Sequence, residues 1–154
     1  MNPLRRNMLK GTAGVGVLSV AVAAGLLKPG QVLADWNQAG FDSKKAADSL
    51  AAIGASSAAN SPNIDLKAPD IAENGASVPL EITVSMPDVE SLAILAEKNV
   101  YPLISDYKLT NFGGYLATRI KMAQTADVRV IVKAGGKVWT TAKEVKVTIG
   151  GCGG

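Results

Sequence analysis

From Ile64 to Ile149 apolar and polar residues follow one another with a period close to two. Ile64 and Leu66 alternate with Asp65 and Lys67, and Leu80, Ile82 and Val84 with Glu81 and Thr83. Leu116, Ile120 and Met122 alternate with Arg119 and Lys121, and Val128, Val130 and Val132 with Arg129 and Lys133. Successive side chains of a strand point to opposite faces, so each run offers one apolar face to a core. Leu92 to Ala96 is an apolar run, Val138 to Thr141 a further short one, and Val145, Val147 and Ile149 a last one. Turn residues punctuate the series at Pro69, Asn74-Gly75 and Pro87-Asp88, and Gly135-Gly136 has the length and composition of a two-residue hairpin loop. Short strands at this spacing predict an all-β fold: an immunoglobulin-like antiparallel β-sandwich over residues 63–149.

The period lengthens nearer the N-terminus. Phe41, Ala47, Leu50 and Ile53 recur at helical spacing, with Asp42 or Ser43 as candidate caps and Gly54 as a candidate stop. Ala55 to Pro62 is small and polar, a linker by composition. Residues 35–62 are thus expected to form an N-terminal helix and linker that dock on the sandwich or on a partner.

The first 34 residues have a different character. Arg5 and Arg6 precede an apolar stretch from Gly11 to Leu27, Lys28-Pro29-Gly30 breaks it, and Val32-Leu33-Ala34 supplies small residues for processing. This is the form of a twin-arginine secretory signal, cleaved after Ala34, which places the protein in the periplasm. The alternative, a membrane anchor, is weakened by the four glycines in a run at the short end of the ~17–25 residues that span a bilayer. The leader holds four of the 16 Lys and Arg and none of the 13 Asp and Glu, so the processed chain carries a net charge of −1. No basic surface remains to argue for nucleic acid, and no membrane association is expected after processing.

Charge and composition also narrow the chemistry. The chain has no histidine, so the usual general base and the commonest metal ligand are missing. No glycine-rich loop lies between a strand and a helix to cradle phosphate. Asp70 with Glu73, and Asp88 with Glu90, sit beside turn residues and read as solvated. Trp139 and Tyr115 read as packing residues on strands, with an interface role as the alternative. An enzyme acting alone lacks its residues, and neither a metal site nor a catalytic residue is expected.

What remains is the C-terminus. Cys152 is the only cysteine, and it is flanked by Gly150, Gly151, Gly153 and Gly154. Glycine accepts almost any backbone angle and offers nothing to pack. The pentapeptide 150–154 therefore reads as a thiol on a flexible arm, with a reach of roughly 10 Å from Ile149. A catalytic cysteine needs a rigid neighbouring base, and a metal needs more than one ligand. A covalent handle fits, and the competing reading is a structural or binding sandwich domain whose thiol forms an intermolecular disulfide. The C-terminal carboxylate two residues beyond Cys152 disfavours the thiolate. Activation is therefore expected from a partner's pocket.

Lys143 to Ile149 followed by Gly-Gly-Cys-Gly-Gly, with Ala68 to Gly75, Val89-Glu90-Ser91, Glu97-Lys98-Asn99 and Thr118 to Ala123, form a set of segments that resembles the SoxY family of sulfur carriers in periplasmic thiosulfate oxidation. The leader departs slightly, with Met8 where a phenylalanine is common. The resemblance implies a heterodimer with SoxZ, covalent sulfur attachment at Cys152, and a swinging arm of Gly150, Gly151, Gly153 and Gly154. It implies loading by a c-type cytochrome complex, sulfate release by a dimanganese hydrolase and, in some organisms, action by a sulfur dehydrogenase. It implies no cofactor on the carrier itself.

Overall fold

The structure, a computed structural model, describes residues 37–149. The leader with Arg5, Arg6 and the expected cleavage after Ala34, and the arm residues Gly150, Gly151, Cys152, Gly153 and Gly154, lie outside the described residues. Two short helices, α1 (Gln38–Asp42) and α2 (Ala46–Ala52), precede nine strands. These are β1 (Ala59–Asn60), β2 (Ile64–Lys67), β3 (Ile71–Ala72), β4 (Val78–Val84) and β5 (Val89–Ala96), then β6 (Leu103–Lys108), β7 (Tyr115–Ile120), β8 (Ala126–Ala134) and β9 (Lys137–Val147).

The strands form two facing sheets, the sandwich that the alternation predicts. One has the order β2-β4-β7, and the other the order β1-β9-β8-β5-β6 with β3 also paired to β9. In β4, Val78, Leu80, Ile82 and Val84 are buried while Pro79, Glu81 and Thr83 face solvent. They pack in one cluster with Leu92, Ile94, Val128, Val130, Val132 and Val145 from the larger sheet. Each such side chain, fully buried, contributes roughly 1.5–3 kcal/mol. The apolar run in β5 is buried on both faces. Leu92 and Ile94 point into the sandwich, whereas Ala93 and Leu95 join Leu103, Ile131 and Ile53 in a second cluster, on which Phe41 and Leu50 pack.

The expected single helix is two pieces, and neither Asp42 nor Ser43 is the N-cap of either. Asn37 caps α1, its Oδ1 accepting the Gly40 amide at 3.0 Å. The Ser43 hydroxyl donates back to the Ala39 carbonyl, and extended backbone at Ser43 and Lys45 separates the helices. Buried Ser49 ties them together by donating to the Gly40 carbonyl at 3.1 Å. Gly54 is the stop, with φ +68, and its amide and that of Ala55 donate to Ala51 and Leu50 in the paired bonds of a Schellman cap.

Other differences have local causes. The expected linker contributes β1, paired in parallel with Trp139 and Thr140 of β9. β3 is likewise parallel to β9, so the sandwich is not wholly antiparallel. The segments at Val138 and Val145 are one eleven-residue strand, because β8 pairs along its length from Ala126↔Val145 to Ala134↔Lys137. The hairpin between β8 and β9 turns on Gly135 and Gly136, both with positive φ. β6 was not legible in the sequence. It is an edge strand whose register shifts between Ile94 and Leu95, which spoils its alternation. Tyr115 is 55% exposed at the start of β7 rather than packed, whereas Trp139 packs against the core.

Candidate functional site at the end of the sandwich that bears the C-terminus

β9 runs toward the C-terminus, and its last residues are hydrogen-bonded to two other segments, residues 70–75 and the loop that holds Thr125. Ile71 and Ala72 of β3 lie in register with Lys146 and Val147. The Lys146 amide donates to the Asp70 carbonyl at 3.0 Å, and the Thr148 amide to the Ala72 carbonyl at 3.1 Å. The Thr148 hydroxyl donates to the Glu73 carbonyl at 2.9 Å, and the Val147 amide to Thr125 Oγ1 at 2.9 Å. Finally the Gly75 amide donates to the Ile149 carbonyl at 2.8 Å, while the Gly75 carbonyl accepts the Met122 amide at 2.7 Å. The backbone is thus fixed as far as Ile149, three residues before Cys152.

The turn that supplies Gly75 is itself closed by Asn74, whose Oδ1 accepts the Ala76 amide at 2.8 Å. Lys143 donates to the Ala68 carbonyl at 2.6 Å and pairs with Asp70 at 2.9 Å. That hydrogen bond, and then the charge of the same ammonium, hold the Asp70 carboxyl below its ordinary value. Asp70 and Glu73 therefore do not form a carboxylate pair: one meets Lys143, and the other contributes its backbone carbonyl to Thr148. Glu90 accepts the Gly136 amide at 3.2 Å, near the β8–β9 hairpin.

The loops beside this root are joined as well. Asn99 Nδ2 donates to the Lys121 carbonyl at 2.8 Å, and Asn99 Oδ1 accepts the Ala123 amide at 2.9 Å. Gln124 donates to the Lys98 carbonyl at 3.0 Å. Arg129 donates to Glu97 at 2.6 Å, and the Glu97 amide donates to the Asp127 carbonyl at 3.1 Å. The β5–β6 loop, the β7–β8 loop, the β3–β4 segment and the end of β9 therefore meet at one end of the sandwich.

This arrangement gathers Ala68 to Gly75, Glu97 to Asn99 and the end of Thr118 to Ala123 around the end of β9. Val89-Glu90-Ser91 starts β5 and belongs to the opposite end. No group of three or more His, Cys, Asp and Glu that could hold a metal occurs among the described residues, nor does any helix there have the length and apolarity to cross a membrane. Sequence reasoning missed the part of Asn99. Its only signal was an amide beside a turn, and the two loops it joins are more than twenty residues apart.

Fold and site together define an all-β sandwich whose last strand is hydrogen-bonded as far as Ile149, three residues before the only cysteine of the sequence. The family of sulfur oxidation protein SoxY matches residues 50–152, the match ending at Cys152. A solved structure of the sulfur carrier protein SoxY from Chlorobium limicola f thiosulfatophilum is 35% identical, with a TM-score of 0.61, over 70% of this chain and 95% of that one. An engineered protein aligns at 12% identity with a TM-score of 0.41, over 56% of this chain and 20% of its own, and supports no argument. No curated protein matches the sequence. The chain belongs to the SoxY family.

Proposed function

We propose that Cys152 is the covalent attachment site of a periplasmic sulfur carrier. A role in sulfur oxidation as a carrier follows from the family, as does partnership with SoxZ in a Sox system. The observation that supports the attachment site is the root: hydrogen bonds hold the chain through Ile149, and the only thiol follows within three residues. A fixed base with a short glycine tether confines the thiol to a small volume around one end of the fold. Gly150, Gly151, Gly153 and Gly154 then serve as the swinging arm.

In the loading step the Cys152 thiol loses its proton, and its sulfur bonds to the terminal sulfur of thiosulfate. The two electrons released pass to a c-type cytochrome complex as oxidant, leaving a thiosulfonate on the arm. Water next attacks the sulfonate sulfur on a dimanganese hydrolase; sulfate leaves and a persulfide remains on Cys152. A sulfur dehydrogenase, where present, oxidises that sulfane sulfur. The carrier contributes position and a covalent bond, and each partner contributes chemistry. Export by the twin-arginine signal at Arg5 and Arg6, with cleavage after Ala34, puts the carrier where these partners work.

The test is retention of labelled thiosulfate by the mature heterodimer after incubation with the loading complex. Wild type is expected to hold one equivalent that a thiol reductant releases, and Cys152→Ser none, with its heterodimer intact. Equal retention by Cys152→Ser would place the cargo elsewhere.

A further inference from the structure

Five large apolar or aromatic side chains are about half exposed or more among the described residues: Ile71 (58%), Val100 (50%), Tyr101 (46%), Tyr115 (55%) and Ile149 (69%). Single exposed apolar residues are ordinary on a protein surface. Their distribution here is not even. Ile71 flanks the end of β9, in register with Lys146, and Ile149 is the residue from which the arm departs. Val100 and Tyr101 follow Asn99 in the β5–β6 loop, which Asn99 fastens to Lys121 and Ala123. Met122, between those two, donates to the same Gly75 that holds Ile149. Four of the five thus lie at the end of the sandwich that bears the arm, and only Tyr115, at the far end of β7, does not.

The length of the arm decides what covers this end. Cys152 lies three residues beyond Ile149, a span of roughly 10 Å even when fully extended. An enzyme that encloses the thiol in a pocket must therefore bring the rim of that pocket down onto the residues around Ile149. The surface it meets there carries these four aliphatic and aromatic side chains among exposed polar ones such as Lys98, Lys121 and Lys146, on loops joined by side-chain hydrogen bonds. Preformed apolar anchors of this kind lose little entropy on contact.

We propose that Ile71, Val100, Tyr101 and Ile149 form a docking face for the enzyme that oxidatively loads Cys152, and that this face receives an apolar rim around the mouth of its active site. The inference rests on the carrier reading above. The face sets encounter and alignment, so it governs the concentration of carrier the enzyme needs, whereas the thiol governs the chemical step.

The experiment measures loading kinetics of the mature heterodimer with its loading enzyme, for Ile71→Ser/Ile149→Ser, for Val100→Ser/Tyr101→Ser and for Tyr115→Ser as control. Each double variant is expected to raise KM for the carrier about tenfold or more while kcat changes little, because the half-exposed side chains it removes would have been buried on docking. Tyr115→Ser should match wild type. The reaction of Cys152 with a small aromatic disulfide should be unchanged in all of them. Unchanged KM in both double variants overturns the proposal. So does loss of the heterodimer in either variant, which would assign the face to the other subunit, or conversion of a self-associated wild type to a single heterodimer, which would assign it to a second copy. Failure of wild type itself to load would sink the carrier reading, and the docking face with it.

Discussion

Asn99→Ala isolates the fastening of the arm-bearing end from the core beneath it. The Asn99 amide makes two hydrogen bonds, to the Lys121 carbonyl at 2.8 Å and from the Ala123 amide at 2.9 Å, and spans two loops that share no strand. A typical intramolecular hydrogen bond contributes about 0.5–1.5 kcal/mol net, so the pair contributes about 1–3 kcal/mol. The Lys121 bond is exposed and the Ala123 bond partly buried, so water replaces part of the loss and favours the lower half of that range. At roughly 4 °C per kcal/mol for a fold of about this size, Tm should drop by about 4–8 °C. Calorimetry of the mature heterodimer and a urea melt both read this, with the urea m-value unchanged because the core is intact. Loading of Cys152 should weaken through KM, since Val100 and Tyr101 lose their fixed position. A Tm within about 1 °C of wild type would refute the idea that Asn99 fastens this end.

Three other outcomes are expected. Asp70→Asn removes an ion pair whose folded carboxyl lies below its ordinary value; the stability it adds is present above pH ~4 and lost as pH falls through the folded value, so variant and wild type should converge in acid melts and also in high salt, and a gap that widens in acid would contradict this. Truncation after Ile149 should leave the melting curve of the domain within about 0.5 kcal/mol of wild type, because hydrogen bonds among the described residues already hold the end of β9 as far as Ile149; a loss of several kcal/mol in a denaturant melt would show that the terminal residues pack on the fold. Gly150→Val/Gly151→Val should slow both enzymatic loading and sulfate release at least about tenfold while the thiol still reacts with a small reagent, since β-branched residues stiffen and thicken the tether; wild-type turnover would mean that the cysteine is offered on an open surface.

Much of the sandwich was legible because burial on one face writes a period of two into the chain. β4 reads as strict alternation, and Gly135-Gly136 as the hairpin its positive φ values require. The helix break was not legible, because a side-chain bond from Ser43 back to Ala39 and the buried Ser49 hydroxyl leave no periodic trace. β1 and β3 are two-residue strands whose existence depends on β9 lying beside them, a tertiary effect that local pattern cannot report. At the candidate site the thiol and its glycines were plain in the sequence. The root was not, because its hydrogen bonds come from residues around positions 70–75 and 122–125, far along the chain from β9.

The central claim is that Cys152 carries sulfur drawn from thiosulfate. Trypsin should cut after Lys146 and release the peptide Val147–Gly154 with its single cysteine. For protein taken from periplasm of cells oxidising thiosulfate, the mass of this peptide should show a population heavier by one thiosulfate or by one sulfur atom, restored to the free thiol by reductant. Only the unmodified peptide, or the peptide joined to another cysteine through a plain disulfide, would contradict the account and leave the thiol as a structural cross-link.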